Sequence, residues 1–123
     1  MSELDIVREF VEKINQQDVE GLVSLMTEDH VFIDGLGNRV SGREEMRAAW
    51  QQYFAMCPDY HVSVEHGIEA GPVVGLFGSA GGTIKGKRWQ IPAAWLALVE
   101  AGAVREWRVY ADNKPVYEIL ARM

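Results

Sequence analysis

Ile91-Pro92-Ala93-Ala94-Trp95-Leu96-Ala97-Leu98-Val99-Glu100-Ala101-Gly102-Ala103-Val104-Arg105-Glu106-Trp107-Arg108-Val109-Tyr110-Ala111 decides the fold. Two apolar-rich runs flank Ala101-Gly102, and a two-residue connection of that kind closes an antiparallel hairpin. Opposite residues of a ladder share a face. With Ala101 and Gly102 as the loop, one face pairs Leu98 with Arg105, Leu96 with Trp107, Ala94 with Val109 and Pro92 with Ala111. The other pairs Ala97 with Glu106, Trp95 with Arg108 and Ala93 with Tyr110. The first face is mostly apolar and is expected to lie against helices. The second sets a tryptophan beside an arginine, the composition of an interface core. It is expected to join two copies as a homodimer through the sheet face bearing Trp95 and Arg108. The alternative is a tryptophan covered by its own neighbours.

The same period-two reading extends backwards. Tyr60, Val62 and Val64 alternate with His61, Ser63 and Glu65, and further strands are expected near 72–84, 88–100 and 103–112. The first half has helical period instead. Leu4, Val7, Val11 and Ile14 recur at spacings of three and four, with Ser2 as N-cap and Asp5 in the capping-box position. Asp18 caps a second short helix carrying Val19, Leu22, Val23 and Met26. Val31-Phe32-Ile33 is a short strand, and Gly35-Leu36-Gly37-Asn38 a turn. Ser41 is expected to cap a third helix with Met46, Ala49, Trp50, Tyr53 and Phe54 inward, ending before Pro58. Helices first and antiparallel strands afterwards give an α+β fold with helices on one face of a curved sheet.

The 123 residues carry 12 Lys+Arg against 18 Asp+Glu, a net charge of −6, with 48% hydrophobic residues. No repeat or linker divides them, so residues 1–123 read as a single domain. The acidic balance argues against nucleic acid and anionic membrane surfaces. The longest apolar run, the nine residues Ile91–Val99, contains Pro92 and falls far short of the roughly 20 a membrane helix needs. Cys57 is the only cysteine, and residues 1–17 lack a basic n-region before an apolar run, so a reducing, cytoplasmic setting is expected.

His30, His61 and His66 offer no metal-ligand spacing, and no Gly-x-Ser-x-Gly or phosphate-cradling loop is present, so no metal and no cofactor are expected. Gly81-Gly82 reads as relief of crowding in a bent strand. His66 has the parity of Val62 and Val64, which points it inward. Asp34 closes an apolar strand before a glycine-containing turn. A desolvated carboxylate there suits a general base. The same residue could instead close an Asx-turn on the amides of Leu36 or Gly37.

Three helices, a strand ending in Asp34, and a hairpin ending in Glu106-Trp107-Arg108-Val109-Tyr110-Ala111-Asp112 resemble the nuclear transport factor 2-like superfamily. The ketosteroid isomerase-like and SnoaL-like branches are the nearest in pattern, and the resemblance runs from Ile6 to about Leu120. It implies a cone-shaped, curved mixed sheet with three N-terminal helices enclosing an apolar pocket, and dimerisation through the sheet. It places the catalytic base at Asp34, in Ile33-Asp34-Gly35-Leu36-Gly37. In the same register Phe10 and Ala94 stand where ketosteroid isomerases carry their two oxyanion donors. One such donor is typically worth about 2.7–4 kcal/mol of transition-state stabilisation, so both losses disfavour a simple steroid isomerase.

The pocket is expected to include Phe10 and Ile14 of the first helix, Leu36 of the turn, and Trp50 and Tyr53 of the third helix. From the hairpin it takes Ala94, Leu96, Trp107 and Val109, with the Trp107 indole as replacement donor or pocket floor. Asp112 is either a second acid/base or a cap for the C-terminal segment. An Asp-Arg-Asp relay, as in limonene epoxide hydrolase-like enzymes, would need Asp34, Arg105 and Asp112, which no spacing brings together. Two functions stand side by side. One is an isomerase, lyase or cyclase using Asp34 on a small, neutral, hydrophobic substrate. The other is a dimeric module that binds such a ligand without turnover.

Overall fold

Ser2 and Asp5 open α1 (Glu3–Gln16) as a reciprocal capping box, each side chain accepting from the other residue's backbone amide at 3.1 Å. Asp18 caps α2 (Val19–Ser24) through the amide of Gly21, as the sequence suggests. The computed structural model describes residues 2–121. After α2 come β1 (Met26–Ile33), β2 (Arg39–Ser41), α3 (Arg43–Met56), β3 (His61–Ala70), β4 (Val73–Ile84), β5 (Lys87–Glu100), β6 (Ala103–Ala111) and α4 (Lys114–Ala121). The six strands form one sheet in the order β2-β1-β6-β5-β4-β3, with β1 parallel to β6 and the other neighbours antiparallel. This mixed, curved sheet with helices against its inner face is the expected α+β cone.

Local expectations fail at three places. Met26 belongs to β1 rather than to the second helix, because β1 pairs with β6 from Met26 onward and tertiary pairing overrides helical spacing. Ser41 ends β2 instead of capping α3, whose N-cap is Gly42 at φ 99° with no side-chain bond. α4, which the period analysis leaves out, packs Val116 into the core.

The hairpin departs by one residue, with large consequences. Ala101 (φ 51°) and Gly102 (φ 79°) form the loop, both left-handed as a primed turn requires. Glu100 pairs with Ala103 and Val99 with Val104, but Leu98 then pairs with Glu106. Arg105 is the extra residue of a β-bulge, and every pair beyond it slips by one. A one-residue slip turns a strand's side chains to opposite faces. Trp95 therefore pairs with Val109 and Ala97 with Trp107 on the inner face, while Leu96 pairs with Arg108 and Ala94 with Tyr110 outside. The expectation that Trp95 faces Arg108 on an outer surface is thus corrected. Trp95 (2% exposed) stacks on Trp107 (1%) at 6.3 Å, and Phe10 of α1 packs against Trp107 at 4.9 Å.

A second bulge, at Glu65 in β3, pairs Val64 with Gly78 but His66 with Phe77, so His66 lies exposed on the outer side. β3 is an edge strand. Asn15 of α1 clamps its start, donating to the Val62 carbonyl at 2.9 Å and accepting from the Val62 amide at 2.8 Å. Among the described residues no helix is long and apolar enough to cross a membrane.

His30 on β1 is fully buried, its Nδ1 donating to the Val104 carbonyl at 2.7 Å while Nε2 has no partner among the described residues. Burial holds its pKa below the usual histidine value, outweighing the opposing effects of Val104 and Asp29. The unfolded chain then takes up a proton near pH 6.5 that the folded one refuses. Stability should fall as pH drops below about 6.5, with a slope of at most about 1.4 kcal/mol per pH unit from this group. Denaturant titrations at pH 7, 6 and 5 test this, because His30→Gln should flatten the slope. An equal slope in both proteins would remove His30 as its source.

Candidate active site

A cavity of about 270 Å³ lies between the inner face of the sheet and α3, with α4 along its border. It exists because small residues stand on its walls: Ala49 of α3, Ala80 of β4, Ala93 of β5 and Ala111 of β6. Met46 and Trp50 of α3 and Ile91 and Trp95 of β5 make the remainder strongly apolar. Aromatic rings stiffen one side. Trp50 stacks on Phe54 at 5.2 Å, Tyr53 meets Tyr60 edge-on at 4.9 Å, and Tyr60 stacks on Trp89 at 6.0 Å.

Asp34 lines this cavity, half-buried at the end of β1, with Gly35 and Asn113. Gly35 is required there: a Cβ would stand 2.9 Å from the Ala111 carbonyl oxygen and 3.2 Å from the Asn113 amide nitrogen. The carboxylate also closes the Asx-turn. Its Oδ1 accepts from the amides of Leu36 (2.8 Å) and Asn38 (2.9 Å), and Oδ2 from the Asn38 side chain (3.1 Å). An ionised carboxylate offers about four acceptor positions, so three donors leave roughly one, on Oδ2, for a ligand or a proton.

Of the residues expected in the pocket, Asp34, Trp50, Tyr53 and Val109 line it. Six do not. Phe10 and Ile14 are fully buried in the core under the sheet, where Trp107 separates Phe10 from the cavity side. Trp107 itself is packed between Phe10 and Trp95 and lines nothing, so it is no replacement donor. Ala94 and Leu96 face outward because of the Arg105 bulge. Leu36 stands 70% exposed at the tip of the Asx-turn. Asp112 is exposed and accepts from the Lys114 amide at 3.1 Å, which is the capping alternative. Arg105 is exposed on its bulge near the hairpin loop, so no Asp-Arg-Asp relay forms.

Tyr60, Trp89, Ala93, Trp95, Asn113 and Tyr117 are lining residues that the sequence reading missed. For Ala93 and Trp95 a signal existed. Val104 and Trp107 are both apolar yet three apart in a strand, with Arg105-Glu106 between them, a spacing that only a bulge reconciles with one inner face.

The cavity's donors fall into two kinds. The indole N–H of Trp50 is sealed in the wall with no partner among the described residues, an unmet donor of a kind that typically costs about 1–3 kcal/mol, and that of Trp89 is sealed beside the Cys57 thiol. The hydroxyls of Tyr53 and Tyr60 are not sealed in this way, and among the described residues they make no hydrogen bond. Burial pushes both phenols far above the usual tyrosine range, and for Tyr53 the neighbouring Tyr60 adds to it. Both are therefore neutral donors at physiological pH. Burial also raises the Cys57 thiol, which removes it as a nucleophile. No group of three His, Cys, Asp or Glu among the described residues is arranged to hold a metal ion.

The model of the SnoaL-like domain matches residues 7–107 of the chain. Among curated proteins none matches. Solved structures resemble it over most of their length. A candidate SnoaL-like polyketide cyclase from Shewanella denitrificans OS-217 superposes with TM-score 0.86 at 16% identity, covering 98% of both chains. IdmH, a candidate polyketide cyclase from Streptomyces antibioticus, gives TM-score 0.82 at 22% identity, covering 98% of this chain and 99% of its own. A protein of ketosteroid isomerase-like fold from Catenulispora acidiphila DSM 44928, crystallised with trimethylamine, gives 0.79 at 24%, covering 86% of this chain and 84% of its own. At these identities the likeness is one of fold.

Proposed function

Because this chain belongs to the SnoaL-like domain family, we propose that it is a proton-transfer enzyme of the isomerase, lyase or cyclase type. Its substrate is a small, neutral, hydrophobic carbonyl compound held in the cavity. The observation that carries this reading is a single carboxylate, Asp34, at the border of an otherwise apolar, aromatic-walled space. In such a space a carboxylate with a free acceptor position can take a proton from the carbon beside a carbonyl. The C–H electron pair moves into the carbon–carbon bond, the carbonyl π pair moves onto oxygen, and the enolate is reprotonated elsewhere or closes a ring. The Asx-turn fixes the direction of Oδ2 and so contributes orientation. A second reading, ligand binding without turnover, is favoured by that same turn, which uses most of the carboxylate's acceptor capacity.

Deuterium exchange from solvent into the α-carbon of β-tetralone, a compact aryl ketone, separates the two. The wild-type protein should accelerate exchange, and Asp34→Asn should reduce the acceleration by about 100-fold or more, the usual worth of a positioned base. Asparagine keeps a side-chain oxygen for the amides of Leu36 and Asn38, so the turn survives the substitution. Acceleration that persists in Asp34→Asn would remove Asp34 from the chemistry. Binding of the ketone without any exchange would favour the second reading.

The partner proposed for the protein is a second copy, docked on the outer face of the sheet. Phe77 (45% exposed), Ala94 and Tyr110 (49%) form one row across β4, β5 and β6, with Leu96 and Arg108 in the next. Glu106 and Arg108 share that face, so a two-fold axis would set each arginine against a glutamate of the other copy. The cytoplasm remains the proposed setting, resting on the lone Cys57.

A further inference from the structure

Phe10 and Ala94, the positions at which the resemblance to ketosteroid isomerases implies oxyanion donors, are apolar and lie away from the cavity. A carbonyl ligand therefore needs its donors from elsewhere, and the cavity wall supplies one set. Tyr53 comes from the last turn of α3 and Tyr60 from the residue before β3, so two separate elements bring the rings together. Their edge-to-face contact at 4.9 Å and 86°, with Tyr60 stacked on Trp89 and Trp50 edge-on to Tyr53 at 6.3 Å, restrains both rings. Among the described residues neither hydroxyl makes a hydrogen bond, and neither is sealed away from the cavity that both residues line. An apolar wall carrying two restrained O–H donors offers hydrogen bonds to a ligand that brings an acceptor atom. A hydrocarbon would leave both unmet.

We infer that the hydroxyls of Tyr53 and Tyr60 jointly grip the oxygen of a ligand carbonyl, making the cavity selective for ketones over hydrocarbons of the same shape. The inference rests on the proposed reading of the cavity as a small-molecule site. It deepens that reading by naming the polar group recognised. Neutral donors also suit the neutral substrate, since a carbonyl oxygen accepts from them without a compensating charge. Replacing either tyrosine by phenylalanine removes one oxygen and no hydrogen bond within the described protein, so the fold should be retained.

The test uses the fluorescent naphthyl ketone prodan, whose emission moves to longer wavelength when its carbonyl accepts hydrogen bonds, and its ketone-free parent, 2-dimethylaminonaphthalene. Wild-type protein should bind prodan more tightly than the parent. Tyr53→Phe and Tyr60→Phe should each weaken prodan binding by roughly fivefold, the worth of a neutral hydrogen bond, leave the parent's binding unchanged, and shift bound prodan emission to shorter wavelength. Unchanged prodan affinity and emission in both variants would overturn the inference. If the parent binds as tightly as prodan to the wild type, ketone recognition falls while the small-molecule cavity stands. If neither probe binds, both readings fall together.

Discussion

Gly78→Ala should leave the protein unfolded or barely folded, with a loss of more than about 4 kcal/mol, beyond the usual range for a point substitution. Gly78 sits on β4 opposite the β3 bulge, paired with Val64. A methyl group there would overlap the Ser63 carbonyl oxygen and stand 2.9 Å from its carbon and 3.1 Å from the Val64 Cα. All three are backbone atoms of a hydrogen-bonded strand, so no rotamer change relieves the clash. The strands must separate, and with them goes the Asn15 clamp that ties α1 to β3. Gly75→Ala is the matched control three residues earlier. Its methyl would meet only the side chains of Ile68 (3.4 Å) and Phe77 (3.5 Å), ordinary contact distances, and should change stability by under about 1 kcal/mol. Urea melts of both variants decide the matter. Equal stabilities would mean that β3 and β4 can pair without the close approach described.

The same contrast between local and long-range information explains what was legible in the sequence. Caps and periods are local, so the Ser2 capping box, the Asp18 cap and the strands of 73–84, 87–100 and 103–111 follow from neighbouring residues. The β1–β6 parallel pairing is not local. Met26 has helical spacing behind it and becomes strand because β6, far along the chain, offers a partner. Bulges lie between these extremes. The one at Arg105 leaves a trace in the doubled charge Arg105-Glu106, but reading it demands trust in inner-face apolarity over strict alternation. Misreading it exchanged the two sides of β5, which is why Ala94 and Leu96 stood in the expected pocket and Ala93 and Trp95 did not.

The site was legible where a carboxylate meets an element boundary and illegible where it depends on closure. Asp34 at the end of β1 could be seen because it ends an apolar run before glycine, and the structure has it close the expected Asx-turn at the border of the cavity. Tyr60 gives no such signal. It precedes β3 by one residue, and only the curvature of the sheet carries it beside Tyr53. Asn113, just before α4, and Tyr117 within it reach the cavity, and the hydrophobic spacing of α4 in Val116, Ile119 and Leu120 spans too few residues to stand out as a helix. The overall acidity still fits a neutral ligand, but the lining says so more directly, since among the described residues Asp34 is its only charged one.

Trp95→Ala and Leu96→Arg, adjacent in sequence, should fail in different ways, and together they test both the register of the hairpin and the proposed dimer. Trp95 is 2% exposed and stacks on Trp107, so truncation removes a large buried side chain and enlarges the cavity it lines. A loss of about 3–5 kcal/mol is expected by denaturant titration. Leu96 lies on the outer face opposite Arg108 and beside the Phe77 row. An arginine there meets solvent in the monomer and should cost under about 1 kcal/mol of fold stability. In the dimer it places a second positive charge beside Arg108 at a buried contact, so sedimentation should show the variant as a monomer at concentrations where wild type is dimeric. Had the strands paired without the Arg105 bulge, the two outcomes would exchange: arginine at 96 would unfold the core and alanine at 95 would be mild. A folded Leu96→Arg that remains dimeric would keep the register and reject this face as the interface.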